Sequence, residues 1–267
     1  MTVVLSNESV TLTVSPDAGG RWTSLRIFDH ELLGRAEIPD AYPPILKGSF
    51  VMAPYAGRIR DAEFDWSGSK VLLAPTAPPH AIHGTVHDRP WKVREASRDS
   101  ATLDIELTGP SPFVGHLSQK ITLVENRIDV VLTLTASERM PVVLGLHPWF
   151  RRTLDSGASG SLALDIERMY QRGADGLPTG LLVAPTTGPY DDCFILSRAP
   201  VLTWPGALSL TIRSDHSHWV VFDELDDVFC VEPQTGPPDA IALGEAMIVG
   251  QGEQTELRVT FAWHADV

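Results

Sequence analysis

The chain has 267 residues, 43% hydrophobic and 21% charged, with mean hydropathy near zero, a composition typical of soluble globular proteins. A formal net charge of −13 argues against nucleic acid, because it repels a phosphate backbone and no Lys/Arg cluster offsets it; a neutral small molecule is the better starting expectation. No apolar run reaches the roughly 18 residues that cross a bilayer, the amino terminus has no signal-peptide pattern, and the two cysteines, Cys193 and Cys230, make no disulfide framework, so a cytoplasmic protein without membrane partners is expected.

Period-two alternation runs along the chain. Val10, Leu12 and Val14 alternate with threonines, and Thr23, Leu25 and Ile27 alternate with Ser24 and Arg26. Each such pattern predicts a half-buried strand. Ala53 to Arg60 follows as a Pro/Gly-rich turn that carries Arg58 between apolar neighbours. A guanidinium there can grip two ligand oxygens, or pair with Asp61 or Glu63. His80, His83 and His87 come next. A metal site is one reading, but Pro78-Pro79 upstream and Gly84, Thr85 and Val86 within the stretch oppose the helix that would align the rings. A loop in which Gly84 lets the backbone come close to a neighbour suits His83 as a donor to a ligand oxygen. Trp91 behind it can cover a sugar face or fill core.

Leu103, Ile105 and Leu107 predict a further strand, and Ile121 to Leu134 predicts a hairpin turning at Glu125-Asn126, with Asn able to take positive φ. Leu144 to Phe150 predicts a strand that stops at Pro148, fixing His147 at its end. Ser156 to Gly160 and Gly173 to Pro178 are loops, and Leu162, Leu164 and Ile166 alternate between them. Asp191 and Asp192 sit in a turn before a strand at Phe194, where turn aspartates commonly cap the backbone. Leu208, Leu210 and Ile212 alternate, Asp215 to His218 reads as a polar turn, and Val228 to Val231 is an apolar run ending on Glu232. Pro233, Gly236 and Pro237-Pro238 predict that this strand stops at Glu232, which leaves the carboxylate either facing solvent, the commoner place for a glutamate, or held rigidly beside apolar neighbours. Burial there pushes a carboxyl pKa upward, which suits a general base. Leu257, Val259 and Phe261 close the series.

No helix of ten or more residues is predicted, and 21 prolines and 21 glycines punctuate the chain throughout. The expected architecture is all-β, a large antiparallel β-sandwich forming one domain over residues 1–267. No linker, repeat, nucleophile elbow, phosphate loop or dinucleotide fingerprint is present.

Five segments taken together resemble the aldose 1-epimerase (galactose mutarotase) family. They are Pro54-Tyr55-Ala56-Gly57-Arg58-Ile59; His83-Gly84 with Arg89-Pro90-Trp91; His147-Pro148-Trp149-Phe150; Asp191-Asp192-Cys193-Phe194; and Glu232-Pro233-Gln234-Thr235-Gly236-Pro237-Pro238-Asp239-Ala240. The third and fifth are the specific ones. The resemblance implies interconversion of α and β anomers of an aldose without a cofactor or metal, on a β-sandwich of the mutarotase type. It implies Glu232 as the general base acting on the anomeric hydroxyl, His147 as the general acid at the ring oxygen, and Arg58, His83 and Asp191 as residues that hold the monosaccharide. A protein of this kind is expected as a monomer or homodimer. The chain departs from the pattern at Gly57, where many members carry Asn, and it is short for the galactose-specific branch. Asp191 is preferred to Asp192 because the family spacing is Asp-x-x-Phe.

The chemistry suits these residue types independently. Ring opening removes one proton and delivers another, and a carboxylate and an imidazole can each contribute roughly 10²–10⁴-fold. His147 has to be protonated to act as an acid. Two other readings stand beside this one. A non-catalytic carbohydrate-binding or sensing domain could use the same pocket. A glycoside hydrolase could use Asp191 and Glu232 as paired carboxylates, with a separation of about 5–5.5 Å or 6.5–9.5 Å according to stereochemistry.

Overall fold

The computed structural model describes residues 1–34 and 44–266. Strands dominate it, as the alternation predicts, and the described helical pieces are single turns such as Ala240–Leu243. No described helix is long and apolar enough to cross a membrane.

Among the described residues most strands form two large antiparallel sheets, and three two-stranded ribbons lie outside them. One has 11 strands; its middle is the run Ser49–Met52, Gly145–Arg151, Val228–Gln234, His218–Phe222, Asp191–Leu196 and Ile166–Arg172. The other has eight and includes the hairpin Gly115–Val124 and Arg127–Ala136 beside the long strand Gln254–Ala265. The hairpin turns at Glu125-Asn126 as expected, since Val124 pairs with Arg127. The positive φ falls on Glu125 rather than on Asn126, whose carbonyl accepts a 3.1 Å hydrogen bond from the Trp263 N–H.

Alternation decides what each face of the 11-stranded sheet does. Leu146, Phe150, Phe194, Val221, Phe229 and Val231 point one way and join Leu117, Leu132, Leu210 and Phe261 of the other sheet in the main core. Trp91 belongs to this core as well, its indole N–H donating to the Val86 carbonyl at 3.0 Å, so it does not cover a ligand. The residues between them, among them Trp149, Cys230, Val220 and Cys193, point the other way into smaller clusters. That second face carries the site.

Two expected strand ends lie inside strands. The His147 strand runs through Pro148 to Arg151, and the Glu232 strand runs through Pro233 to Gln234. A proline removes one donor, and therefore disturbs pairing on one side of its strand only. His147 and Pro148 stay paired with Phe50 and Ser49, and Glu232 and Pro233 with Val220 and Trp219. Between the two proline-bearing strands pairing occurs at Gly145↔Gln234 and again from Trp149↔Cys230, with a gap between.

Candidate active site

The register Gly145↔Gln234 and Trp149↔Cys230 places His147 directly opposite Glu232, inside that gap. Phe50, His147, Glu232, Val220 and Cys193 thus form one row across five strands. Trp149, Cys230, Phe222 and Asp191 form the next row. Above them the loops bearing Gly57-Arg58, Ile82-His83, Gly176–Pro178 and Pro238 enclose a cleft of about 190 Å³. All five expected residues, Arg58, His83, His147, Asp191 and Glu232, line it.

His147 Nε2 lies 3.2 Å from Glu232 Oε1, and both side chains are almost fully buried. The other ring nitrogen, Nδ1, lies 3.5 Å from Cys230 Sγ. Gln234, wholly buried, donates to Glu232 Oε2 at 3.1 Å. Phe50 stacks on the imidazole at 4.5 Å between centroids, His83 meets it edge-on at 4.8 Å, and Trp149 packs at 5.0 Å. The ring is therefore fixed in position and in orientation.

Burial sets the protonation of this pair. It raises the Glu232 carboxyl well above the usual carboxylate range; the Asp191 charge adds to the rise, while Gln234 and Arg58 oppose it. It lowers His147 to about 3, with the Arg21 charge the next cause. Contrary to the expectation of an imidazolium, burial disfavours the charged form of both groups in the sugar-free site. A neutral pair costs least in a dry setting. The geometry accommodates it: Glu232 Oε1 lies within hydrogen-bond reach of Nε2, and Cys230 Sγ lies beside Nδ1. His83 is likewise lowered, by burial first and by the positive charge of neighbours including Arg58, and among the described residues its Nδ1 has no hydrogen-bond partner.

Arg58 pairs with neither Asp61 nor Glu63. Its Nη1 meets Asp191 Oδ2 at 3.3 Å, and both side chains remain open to the cleft. Asp191 is the first residue of its strand rather than a turn cap. Its neighbour Asp192 is buried and ion-paired with Arg172 Nε at 3.3 Å. His83 takes a φ of 60°, and Gly84 comes so close to Ala53 that a Cβ would lie 1.9 Å from its carbonyl oxygen. The glycine is thus required by the close approach that presents His83. At Gly57, a Cβ would lie 2.7 Å from the Pro238 ring at a φ of +65°, so Pro238 occupies the space that a side chain there would need.

The donor atoms of His147, Cys230 and Glu232 lie within 4.8 Å of one another. The thiol faces Nδ1 and the carboxylate faces Nε2, however, so the two flank the ring instead of converging on one nitrogen. Sequence reasoning did not single out Phe50, Gln234, Tyr170 or Arg21. Gln234 alone had a local signal, two residues beyond Glu232 and therefore on the same strand face.

A model of the aldose 1-epimerase family matches residues 1–262. The chain belongs to the aldose 1-epimerase family. Among curated proteins, the uncharacterized protein YphB of Escherichia coli K12 is 29% identical over 105 residues, a match spanning 38% of this chain and 36% of that protein. Among solved structures, a putative aldose 1-epimerase from E. coli K12 superposes with a TM-score of 0.85 at 20% identity over 99% of both chains. An aldose epimerase homologue from Caenorhabditis elegans gives 0.85 at 14% identity, again over 99% of both. Galactose 1-epimerase from Lactobacillus acidophilus gives 0.80 at 16% identity, over 99% of this chain and 94% of that one. At these identities the structural likenesses establish the fold, which is that of the galactose mutarotase-like proteins.

Proposed function

We propose that the protein is an isomerase that interconverts the α and β anomers of a monosaccharide, with Glu232 as general base and His147 as general acid. The observation that carries this reading is the 3.2 Å separation of His147 Nε2 and Glu232 Oε1 in a cleft. The two oxygens that exchange protons in ring opening are bonded to one carbon. Acid and base must therefore stand side by side facing a single small ligand, as this pair does. A hydrolase with two carboxylates lacks such support, since the direct partners are His147 for Glu232 and Arg58 for Asp191.

The pair needs one proton between its members. With the sugar ring closed, Glu232 is a carboxylate and His147 an imidazolium. Opening moves the anomeric hydroxyl proton to Glu232 and the imidazolium proton to the ring oxygen. Both side chains are then neutral, the state that burial favours. Rotation about C1–C2 and reversal of both transfers give the other anomer. Arg58 and Asp191 offer donors and an acceptor to hydroxyl groups, and His83 offers its unpartnered nitrogen. A cleft of about 190 Å³ suits one sugar ring rather than an oligosaccharide, being below the roughly 300–1,000 Å³ of drug-sized sites.

Polarimetry or NMR of freshly dissolved single anomers tests the proposal. Acceleration is expected for at least one common aldose, with a loss of roughly 10²–10⁴-fold in Glu232→Gln. Saturable sugar binding with no acceleration would show a binding domain instead.

A further inference from the structure

Arg21 is the buried charge that the mechanism above leaves unused. It is 4% exposed, on strand Arg21–Ile27, and donates to the carbonyls of Lys47 at 2.6 Å and His87 at 3.2 Å. Its guanidinium carbon stands 4.7 Å from the Phe50 ring centroid. The Phe50 ring in turn lies 4.5 Å from the His147 ring, only 23° from parallel. Guanidinium and imidazole thus both pack against the Phe50 ring. The contact with Phe50 is of the cation–π type.

We propose that Arg21 is a positioning residue that acts on His147 through Phe50, its fixed positive charge setting how the single proton is divided between His147 and Glu232. Among the described residues, the other groups facing His147 are Glu232 and Cys230 from the adjacent strand and His83 and His87 from the loop above, with Asp88 close to Arg21. Burial keeps His83 and His87 below their ordinary range, so at neutral pH they add no charge. Arg21 itself is lowered only to about 10 and stays cationic. It is thus a fixed cation that disfavours an imidazolium and favours a carboxylate, and it acts more strongly on His147, from which the Phe50 ring alone separates it. Arg21 therefore stabilises the state of the pair reached on ring opening relative to the ion pair that precedes it. This consequence rests on the isomerase reading; the effect on His147 does not.

The two contacts with Phe50 put the charge no more than roughly 9 Å from the imidazole, a separation at which an effective dielectric of about 20 gives a shift of about one pH unit or more. Nitrogen-15 NMR of His147 in the sugar-free protein is the primary test. Arg21→Met is expected to raise the imidazole titration by about one unit, and Arg21→Lys, which keeps the charge, to restore it toward wild type. In the kinetic arm both limbs of the pH–rate profile move to higher pH in Arg21→Met. If Arg21→Met folds and the His147 titration does not move, or if Arg21→Lys moves it equally, the proposal is overturned. Should Arg21→Met fail to fold, Phe50→Leu, which removes the intervening ring and keeps the charge, is read by the same titration; an unchanged His147 there overturns the role of Phe50 as the link. A shifted titration in a protein without isomerase activity would reject the enzymatic reading and leave the Arg21–His147 coupling standing.

Discussion

His147 and Glu232 face each other at 3.2 Å in the stretch where their two strands interrupt their pairing. Each is followed by a proline, Pro148 and Pro233. A residue before proline is driven to extended backbone, and the proline itself offers no N–H to the neighbouring strand. The two side chains therefore stand on a rigid sheet with the space between them free of cross-strand hydrogen bonding. This local device places an acid and a base in contact without a helix or a loop to carry either.

The buried carboxyl has a price in stability, and its sign is fixed by linkage. Glu232 has a folded pKa raised above its unfolded value, so the folded state holds the proton more tightly. Its contribution is present below the unfolded pKa and is lost as pH rises toward the folded one. Glu232→Gln mimics the protonated form at every pH. The difference in Tm between Glu232→Gln and wild type is expected to grow in favour of the variant from about pH 4.5 to pH 8. A calorimetric series showing a constant difference would contradict the burial argument.

Gln234 donates to Glu232 Oε2 and so lowers the carboxyl against the larger upward push of burial. Gln234→Leu removes that donor at nearly constant volume. The acid limb of the pH–rate profile should move up, because the carboxylate form becomes harder to reach. Loss of a hydrogen bond to a charged group is worth about 1.5–3 kcal/mol, so activity at neutral pH should fall by at least tenfold. Steady-state rates across the pH range check both statements.

Arg58 and Asp191 are joined across 133 residues of sequence and stay open to the cleft. Arg58→Met leaves Asp191 without this partner and takes a donor from the sugar. Leaving a polar partner unpaired costs about 1–3 kcal/mol, so KM should rise about fivefold or more. Because Arg58 does not touch the His147–Glu232 proton, kcat should change less than KM, and initial-rate measurements over a range of sugar concentrations separate the two.

Gly57 occupies a position where many family members carry Asn, and Pro238 fills the space that a side chain there would need. Gly57→Asn should therefore destabilise, in contrast to a neutral restoration of a family contact. Overpacking of this kind costs about 1–3 kcal/mol, or about 2–4 °C of Tm per kcal/mol at this chain length. Thermal unfolding followed by circular dichroism decides it.

Much of the fold is legible in the sequence because strand alternation is a local pattern. The strands at Val10–Ser15, Ser100–Leu107 and Leu208–Ser214, and the turn at Glu125-Asn126, lie where period two and turn chemistry place them. The five candidate residues stand out through their motifs, and the structure gathers all five in one cleft. Pro148 and Pro233 read as strand ends and are not, because the effect of a proline depends on which neighbouring strand loses a donor, and that neighbour is distant in sequence. Arg21 is invisible for a similar reason, since nothing beside it marks an arginine destined for burial against Phe50.

By itself the sequence determined the all-β class, the punctuation of the strands, the glycine beside His83, and the residue types available for proton transfer. These follow from sterics and side-chain chemistry acting over a few residues. The tertiary structure alone decided that His147 faces Glu232, that Arg58 pairs with Asp191, and where the proton of the central pair resides. Register is set by pairing between strands far apart in the chain, and protonation is set by everything that excludes water from the pair together with every charge near it. The bias against an imidazolium, set by burial and by the Arg21 charge, belongs to the assembled molecule.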